Sequence, residues 1–172
     1  MLKLAVIIGK AAVFVCALWA LTLLSLLFHE LGHALAYTLA TGDRNWHIEV
    51  GQGKKILDTK VLTVRMLVLD GYFLPDENRA GSVKQRVITL IGGPAASLLT
   101  VTGLLFLRYG GTALSQKIAA SGLAGAVFWT ALLINSFILF WSVIPGYGFF
   151  RNMEDVGSDV MQIIDTVKRP RE

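Results

Sequence analysis

The chain has 172 residues, of which 54% are hydrophobic and 16% are charged, and its formal net charge is +4. This length predicts one domain, 1–172, and this composition is too apolar for an ordinary soluble protein, so we expect an integral membrane protein. We interpret the positive charge as a sign of membrane topology, with no indication of a nucleic-acid partner. A single cysteine, Cys16, excludes an internal disulfide and a cysteine-based zinc site.

Three stretches without a charged residue predict three transmembrane helices. They cover residues 11–28, 87–107 and 118–150, and each approaches or exceeds the roughly 18 residues that indicate a span. Turn signals and a Pro-Gly break refine the helices to about 11–39, 87–107 and 118–143.

The first span ends in His29-Glu30-Leu31-Gly32-His33, an H-E-x-x-H pattern. Positions i and i+4 share one face of a helix, so both imidazoles can bind one metal ion. Glu30 lies beside them, within reach of a water that the ion activates. Histidine and glutamate at the end of a span are costly in lipid unless they pair or line a wet cavity, which indicates a functional cluster.

The segment between the first two spans predicts a small membrane-associated β-sheet at about 45–73. Apolar and polar residues alternate over 46–50, and residues 61–69 are apolar and β-branched. An edge strand, 46–50 or 61–69, can hold an extended substrate through main-chain hydrogen bonds. The alternative is a sheet that only covers the cavity. The predicted fold class is therefore an α-helical membrane protein with three transmembrane helices and a small β-sheet between the first and second.

Small and polar residues mark the second and third spans. Residues 92–94, Gly-Gly-Pro, predict a kink or a close approach of a neighbouring helix. Asn135 and Ser142 are seven residues apart and share a face of the third span. With Ser97, they are candidates for stabilising an oxyanion or positioning a substrate, and interhelical hydrogen bonding is the alternative.

The third span breaks at Pro145 and is followed by a cytosolic segment, 146–172. In this segment Ser158 is a candidate N-cap for a short amphipathic helix from Asp159 to Lys168.

Basic residues predict the orientation in the membrane. The three spans divide them into twelve on one face and four on the other, so the positive-inside rule places the N-terminus outside and the active site and the C-terminus in the cytosol. The twelve are Arg44, Lys54, Lys55, Lys60, Arg65, Arg79, Lys84, Arg86, Arg151, Lys168, Arg169 and Arg171; the four are Lys3, Lys10, Arg108 and Lys117.

A catalytic zinc ion usually has three protein ligands and one open position, so a third ligand must join the two histidines. Four side chains on the predicted cytosolic face compete for this place: Asp159, Asp155, Asp70 and His47. We select Asp159, because it opens a helix after the break and a loop can fold it back to the first helix. Asp70 is interpreted as part of a strand-ending turn, and His47 as a solvated strand residue.

These motifs resemble the site-2 protease family of intramembrane zinc metalloproteases. The resemblance covers most of the chain: HELGH in the first span, a membrane-associated β region, residues 93–97 (Gly-Pro-Ala-Ala-Ser) in the second, and a late proline followed by an aspartate. Where several members insert a PDZ module, this chain has only a short turn at 108–117. It therefore looks like a compact member.

The resemblance implies hydrolysis of peptide bonds within or next to transmembrane segments of membrane protein substrates. One Zn²⁺ per chain would be held by His29, His33 and Asp159, with Glu30 as the general base. A regulatory membrane partner or a homo-oligomer is also expected.

The chain also departs from the family pattern at single positions. Ser142 stands where the family usually has asparagine, Ser97 stands where members often have asparagine, and Asp159 precedes Val160 instead of glycine. The departures at Ser142 and Val160 leave open an alternative function, a proteolytically inactive zinc-binding scaffold that captures a partner's transmembrane helix.

Overall fold

The structure is a computed structural model that describes residues 2–75, 81–120, 122–145 and 157–168. In chain order the elements are α1 (Leu2–Thr41), β1 (Trp46–Asp58), β2 (Leu62–Pro75), α2 (Val83–Tyr109), α3 (Ala113–Ala120), α4 (Gly122–Val143) and α5 (Asp159–Lys168). The predicted fold class is confirmed, because the chain has three long apolar helices with an antiparallel hairpin between the first and second.

The helices α1, α2 and α4 are long and apolar enough to cross a membrane, which indicates a multi-pass membrane protein. With 40 residues, α1 is about 60 Å long, which is twice the roughly 30 Å of a bilayer's hydrocarbon core. Large apolar side chains such as Phe14, Leu99 and Leu123 are exposed on these helices, as expected for surfaces that face lipid. The predicted third span, 118–143, is divided between α3 and α4.

The hairpin is a strongly curled sheet. Residues 48–50 of β1 pair with 71–73 of β2 on one side and with 62–64 on the other, so β2 turns around the start of β1. Gly51 and Gly53 make this turn possible with φ of +87° and +82°, values that other residues rarely adopt. The first half of β1 is therefore a central strand rather than an edge.

The hairpin packs on α1 and holds a small core in place. Buried Leu26 and Ala34 of α1 contact Ile48, Val50 and Val68 of the sheet. Trp19 Nε1 donates a hydrogen bond of 2.9 Å to the Met66 carbonyl oxygen, further towards the start of α1. These contacts fix the end of β2 beside the HELGH segment of α1.

Small residues bring α1 and α2 into close contact. A Cβ added to Gly32 would lie 2.6 Å from the Ala96 Cβ and nearer still to the Gly92 carbonyl oxygen. A Cβ added to Gly92 would lie 2.6 Å from the Ala36 Cβ. This is the small-residue contact through which helices approach closely in membranes, and it agrees with the expected close approach at 92–94.

Candidate metal centre

The side chains of His29, His33 and Asp159 converge on one point. The two Nε2 atoms are 3.3 Å apart, and they lie 3.2 Å and 3.3 Å from the Asp159 oxygens Oδ2 and Oδ1, respectively. All three residues are buried, with at most 9% of their surface exposed. Within the described part of the chain they form a group that could hold a metal ion.

The spacing of the three donor groups fits a zinc ion. Zinc in a tetrahedral site lies about 2.0–2.2 Å from nitrogen and oxygen ligands, which separates neighbouring ligand atoms by about 3.4 Å. The observed separations of 3.2–3.3 Å are close to this value. Two imidazoles and one carboxylate are also a common ligand set for a zinc ion that keeps one position open.

Hydrogen bonds to α2 orient both imidazole rings. His33 Nδ1 donates to the Thr89 carbonyl oxygen at 2.8 Å, and a carbonyl can only accept, so this nitrogen carries a proton. His29 Nδ1 bonds to Ser97 Oγ at 2.9 Å. A neutral His33 ring then presents the lone pair of Nε2 to the common point, and a neutral His29 ring does the same when its Nδ1 donates to Ser97. With both rings in this form, three acceptors face one another, an arrangement that a bound cation would stabilise; outer partners orient metal ligands in this way.

Asp159 reaches the site from the first turn of α5. Ser158 caps this helix as predicted, because its Oγ accepts the N–H of Met161 at 3.2 Å. Burial alone would raise the pKa of the Asp159 carboxyl, but its interactions with the two adjacent histidines outweigh burial and lower it. The carboxyl is therefore held as an anion, the form that binds a metal ion.

Glu30 lies beside the three candidate metal ligands and is not one of them. It is 5% exposed and lies close to β2 at Gly71, where an added Cβ would be 2.7 Å from Glu30 Oε1. Gly93 makes room for the histidines in the same way, since a Cβ there would lie 2.7 Å from His29 Nε2 and nearer to His33 Nε2. Glycine at these two places leaves space for the ion and the base.

The site opens into a cavity of about 960 Å³. Apolar side chains of α4 line one wall, among them Phe137, Ile138 and Trp141. Residues 68–74 of β2 also line the cavity. The metal-site residues and Glu30 thus line a large, mostly apolar cavity together with β2 and α4.

The other candidate residues occupy different places. Ser142 lines the cavity, although its Oγ donates to the Leu139 carbonyl oxygen at 2.9 Å. Ser97 contacts His29 rather than the cavity. Asn135 is buried between helices, where its Nδ2 donates to Ser25 Oγ at 2.9 Å and to the Ala131 carbonyl oxygen at 2.8 Å. Interhelical bonding, the alternative considered for Asn135, therefore describes it best.

The three competing ligands also have distinct positions. His47 bonds to Thr63 Oγ1 at 2.9 Å and to the Lys60 carbonyl oxygen at 3.1 Å, outside the cavity. The predicted strand-ending turn at Asp70 is wrong, because Asp70 lies inside β2 and lines the cavity. Asp155 lies outside the described residues.

Two contributors were not predicted from the sequence. One is the Thr89 carbonyl group, which orients His33. The other is Gly71, whose missing side chain leaves space for Glu30. A backbone carbonyl has no sequence signal, whereas Gly71 could have been found as a glycine inside an apolar strand, a position that often marks a close approach.

Comparisons with protein-family models, with curated proteins and with solved structures give no match. The fold and the site define a helical membrane protein with a candidate metal centre that faces a cavity.

Proposed function

We propose that the protein is an intramembrane zinc metalloprotease, related in its chemistry to the site-2 proteases that its motifs resemble. One observation carries the proposal: His29, His33 and Asp159, whose contacting atoms are 3.2–3.3 Å apart and whose rings are oriented by α2, lie beside a buried glutamate that is not a ligand. A purely structural histidine pair has no need of a free carboxylate at the same cavity.

In this proposal His29, His33 and Asp159 hold one zinc ion, and Glu30 is the general base. When bound, zinc supplies a Lewis acid that polarises a carbonyl group and makes a nearby water more acidic. Glu30 accepts the proton of that water and delivers it to the leaving amine, a task that suits a carboxylate next to the ligands. The cavity admits the water without exposing helix backbone to lipid.

The strand edge that lines the cavity supports binding of an extended substrate. Peptide bonds in a transmembrane helix are shielded and must unwind before attack. The edges expected from the sequence, 46–50 and 61–69, are only partly free, because 48–50 is paired on both sides and so are Thr63 and Val64. Residues 70–74 of β2 line the cavity beside Glu30, so we assign substrate pairing to this segment.

The proposal includes the orientation given by the positive-inside rule, with the site on the cytosolic side and the N-terminus outside. Of the basic residues behind this assignment, Arg79, Arg151, Arg169 and Arg171 lie outside the described residues.

A substitution at Glu30 tests the proposed activity. Full-length protein in liposomes would be given a set of single-span fluorogenic peptides, and cleavage would be followed by fluorescence and mass spectrometry. We expect Glu30→Gln to retain zinc and to lose at least about 100-fold in cleavage rate, because the general base is removed and the ligands stay. Glu49→Gln, at a carboxylate outside the cavity that pairs with Arg65, is the matched control and should cleave as wild type does.

Two outcomes would overturn this assignment. Cleavage by Glu30→Gln at the wild-type rate would exclude Glu30 as the base. A zinc-loaded wild-type protein that binds the peptides and cleaves none would favour the scaffold instead of the protease.

A further inference from the structure

Asp70 is a carboxylate with one oxygen anchored and the other unused. It lies in the cavity-lining part of β2. Its Oδ2 accepts hydrogen bonds from Gln52 Nε2 and from Tyr72 Oη, the latter at 3.1 Å. Its Oδ1 is buried and has no hydrogen-bond partner among the described residues. A buried acceptor without a donor is costly, so we ask which group supplies the donor.

The charge of the cavity indicates what kind of donor is needed. Three carboxylates, Glu30, Asp70 and Asp159, line the cavity, and no lysine or arginine of the described chain does. With neutral histidines, one divalent ion leaves an excess of one negative charge. A partner with a single positive charge would neutralise the chamber and reach the unused oxygen.

Asp70 lies close to the groups that would carry out the reaction. Asp70 directly precedes Gly71, where an added Cβ would lie 2.7 Å from Glu30 Oε1. In a peptide paired along residues 70–74, the side chain that meets Asp70 would therefore lie within a few residues of the peptide bond that faces Glu30. The surrounding wall is mostly apolar, which strengthens a charged hydrogen bond and penalises a missing one.

We propose that Asp70 is a specificity-determining residue that accepts a hydrogen bond from a lysine or arginine side chain of the substrate, close to the cleaved bond. This inference rests on the proposed protease function and adds the substrate class: segments that carry a basic residue at the cleavage region within an otherwise apolar sequence. Asp70 selects the substrate, while Glu30 and the three candidate zinc ligands are responsible for the reaction.

A lysine scan tests the proposal. Single-span peptides would carry one lysine at successive positions from four residues before to four after the cleaved bond, each with a norleucine counterpart of similar length. For wild type, we expect at least one position at which the lysine peptide is preferred by about tenfold or more in kcat/KM, the size expected for a hydrogen bond to a charged group. In Asp70→Asn that ratio should fall to about one.

Control variants distinguish a loss of substrate selectivity from a loss of the folded structure. Asparagine keeps an oxygen that can accept from Gln52 and Tyr72, so Asp70→Asn should keep the anchoring, and its zinc content would be measured. If zinc is lost, Asp70→Ser replaces it in the same assay. Asp58→Asn removes an equal charge from an exposed part of the same hairpin and should retain the wild-type ratio.

A binding measurement distinguishes failure of this inference from failure of the protease proposal. Zinc-loaded Glu30→Gln protein would bind the lysine and norleucine peptides without cleaving them, and fluorescence anisotropy would give both Kd values. A preference of about tenfold that disappears when Asp70→Asn is added supports Asp70 even if wild type cleaves nothing. Equal Kd values at every position, or a preference that Asp70→Asn leaves intact, would overturn the inference even if wild type is an active protease.

Discussion

At the scale of single residues, the site depends on how each histidine divides its two ring nitrogens. Nδ1 is fixed by a group on α2, and Nε2 is left for a cation. The sequence predicts the histidine pair because the i, i+4 spacing is local. It cannot predict which group fixes each ring, because Ser97 and Thr89 meet the histidines only through the packing of α2 on α1.

The contact of Ser97 with His29 gives a residue-scale prediction. Ser97→Ala removes the hydrogen bond to His29 Nδ1 and should lower zinc affinity about 10- to 100-fold, the usual effect of losing an outer partner of a metal ligand. Zinc competition with a fluorescent chelator measures this. Ser115→Ala, at a buried serine of α3 that bonds to the Thr112 carbonyl oxygen, is the control. Equal affinities for both variants would contradict the role assigned to Ser97.

Asp70 shows where local sequence signals fail. Asp-Gly is a common turn pair, and this suggested a strand end. In the structure, Gln52 and Tyr72 bond to the carboxylate, and Gly71 is needed beside Glu30 rather than for a turn. Both reasons come from tertiary contacts, which override the turn propensity of the Asp-Gly pair.

At the scale of elements, the contact of α1 with α2 positions the site. Glycines at 32, 92 and 93 let the two helices and the imidazoles approach one another. The sequence predicted a close approach at 92–94 but not its partner. The long helices themselves were predictable from uncharged length, whereas the curl of the sheet was not, because it depends on β1 pairing with two parts of β2.

Gly93→Ala tests this element-scale account. The added Cβ would lie 2.7 Å from His29 Nε2 and closer to His33 Nε2, in the space that the ion and its ligands need. We expect at least about a 100-fold loss of zinc affinity, because a small misplacement of ligands is strongly felt at a metal site. Gly103→Ala, on the same helix with nothing within 4 Å of the added Cβ, should bind zinc as wild type does. Normal zinc binding by Gly93→Ala would show that the helices do not meet in this way.

At the scale of the whole molecule, the distribution of basic residues predicts the orientation in the membrane. In a Cys16→Ser background, Lys60→Cys should react with a membrane-impermeant maleimide only after the membrane is opened, because we place the hairpin in the cytosol. Lys117→Cys, between the second and third spans, should react in intact cells. Both lysines are exposed in the structure. The reverse labelling pattern would place the site on the outer face.

The identity of the third metal ligand also depends on the fold of the whole molecule, because Asp159 is 126 residues from His33 in sequence. The sequence reduced the candidates to four, and only the folded chain brings one of them to the two histidines. No local pattern reports such a contact.

The most direct test of the account is the zinc content of purified, never-chelated protein, measured by elemental analysis. We predict about one zinc ion per chain for wild type, and a content below about a tenth of that for Asp159→Ala after dialysis against a weak chelator, because only two ligands remain. Asp165→Ala, an exposed aspartate on the same helix, should retain the wild-type content. Wild-type protein without stoichiometric zinc, or Asp159→Ala with full zinc, would contradict the metal centre and the activity proposed from it.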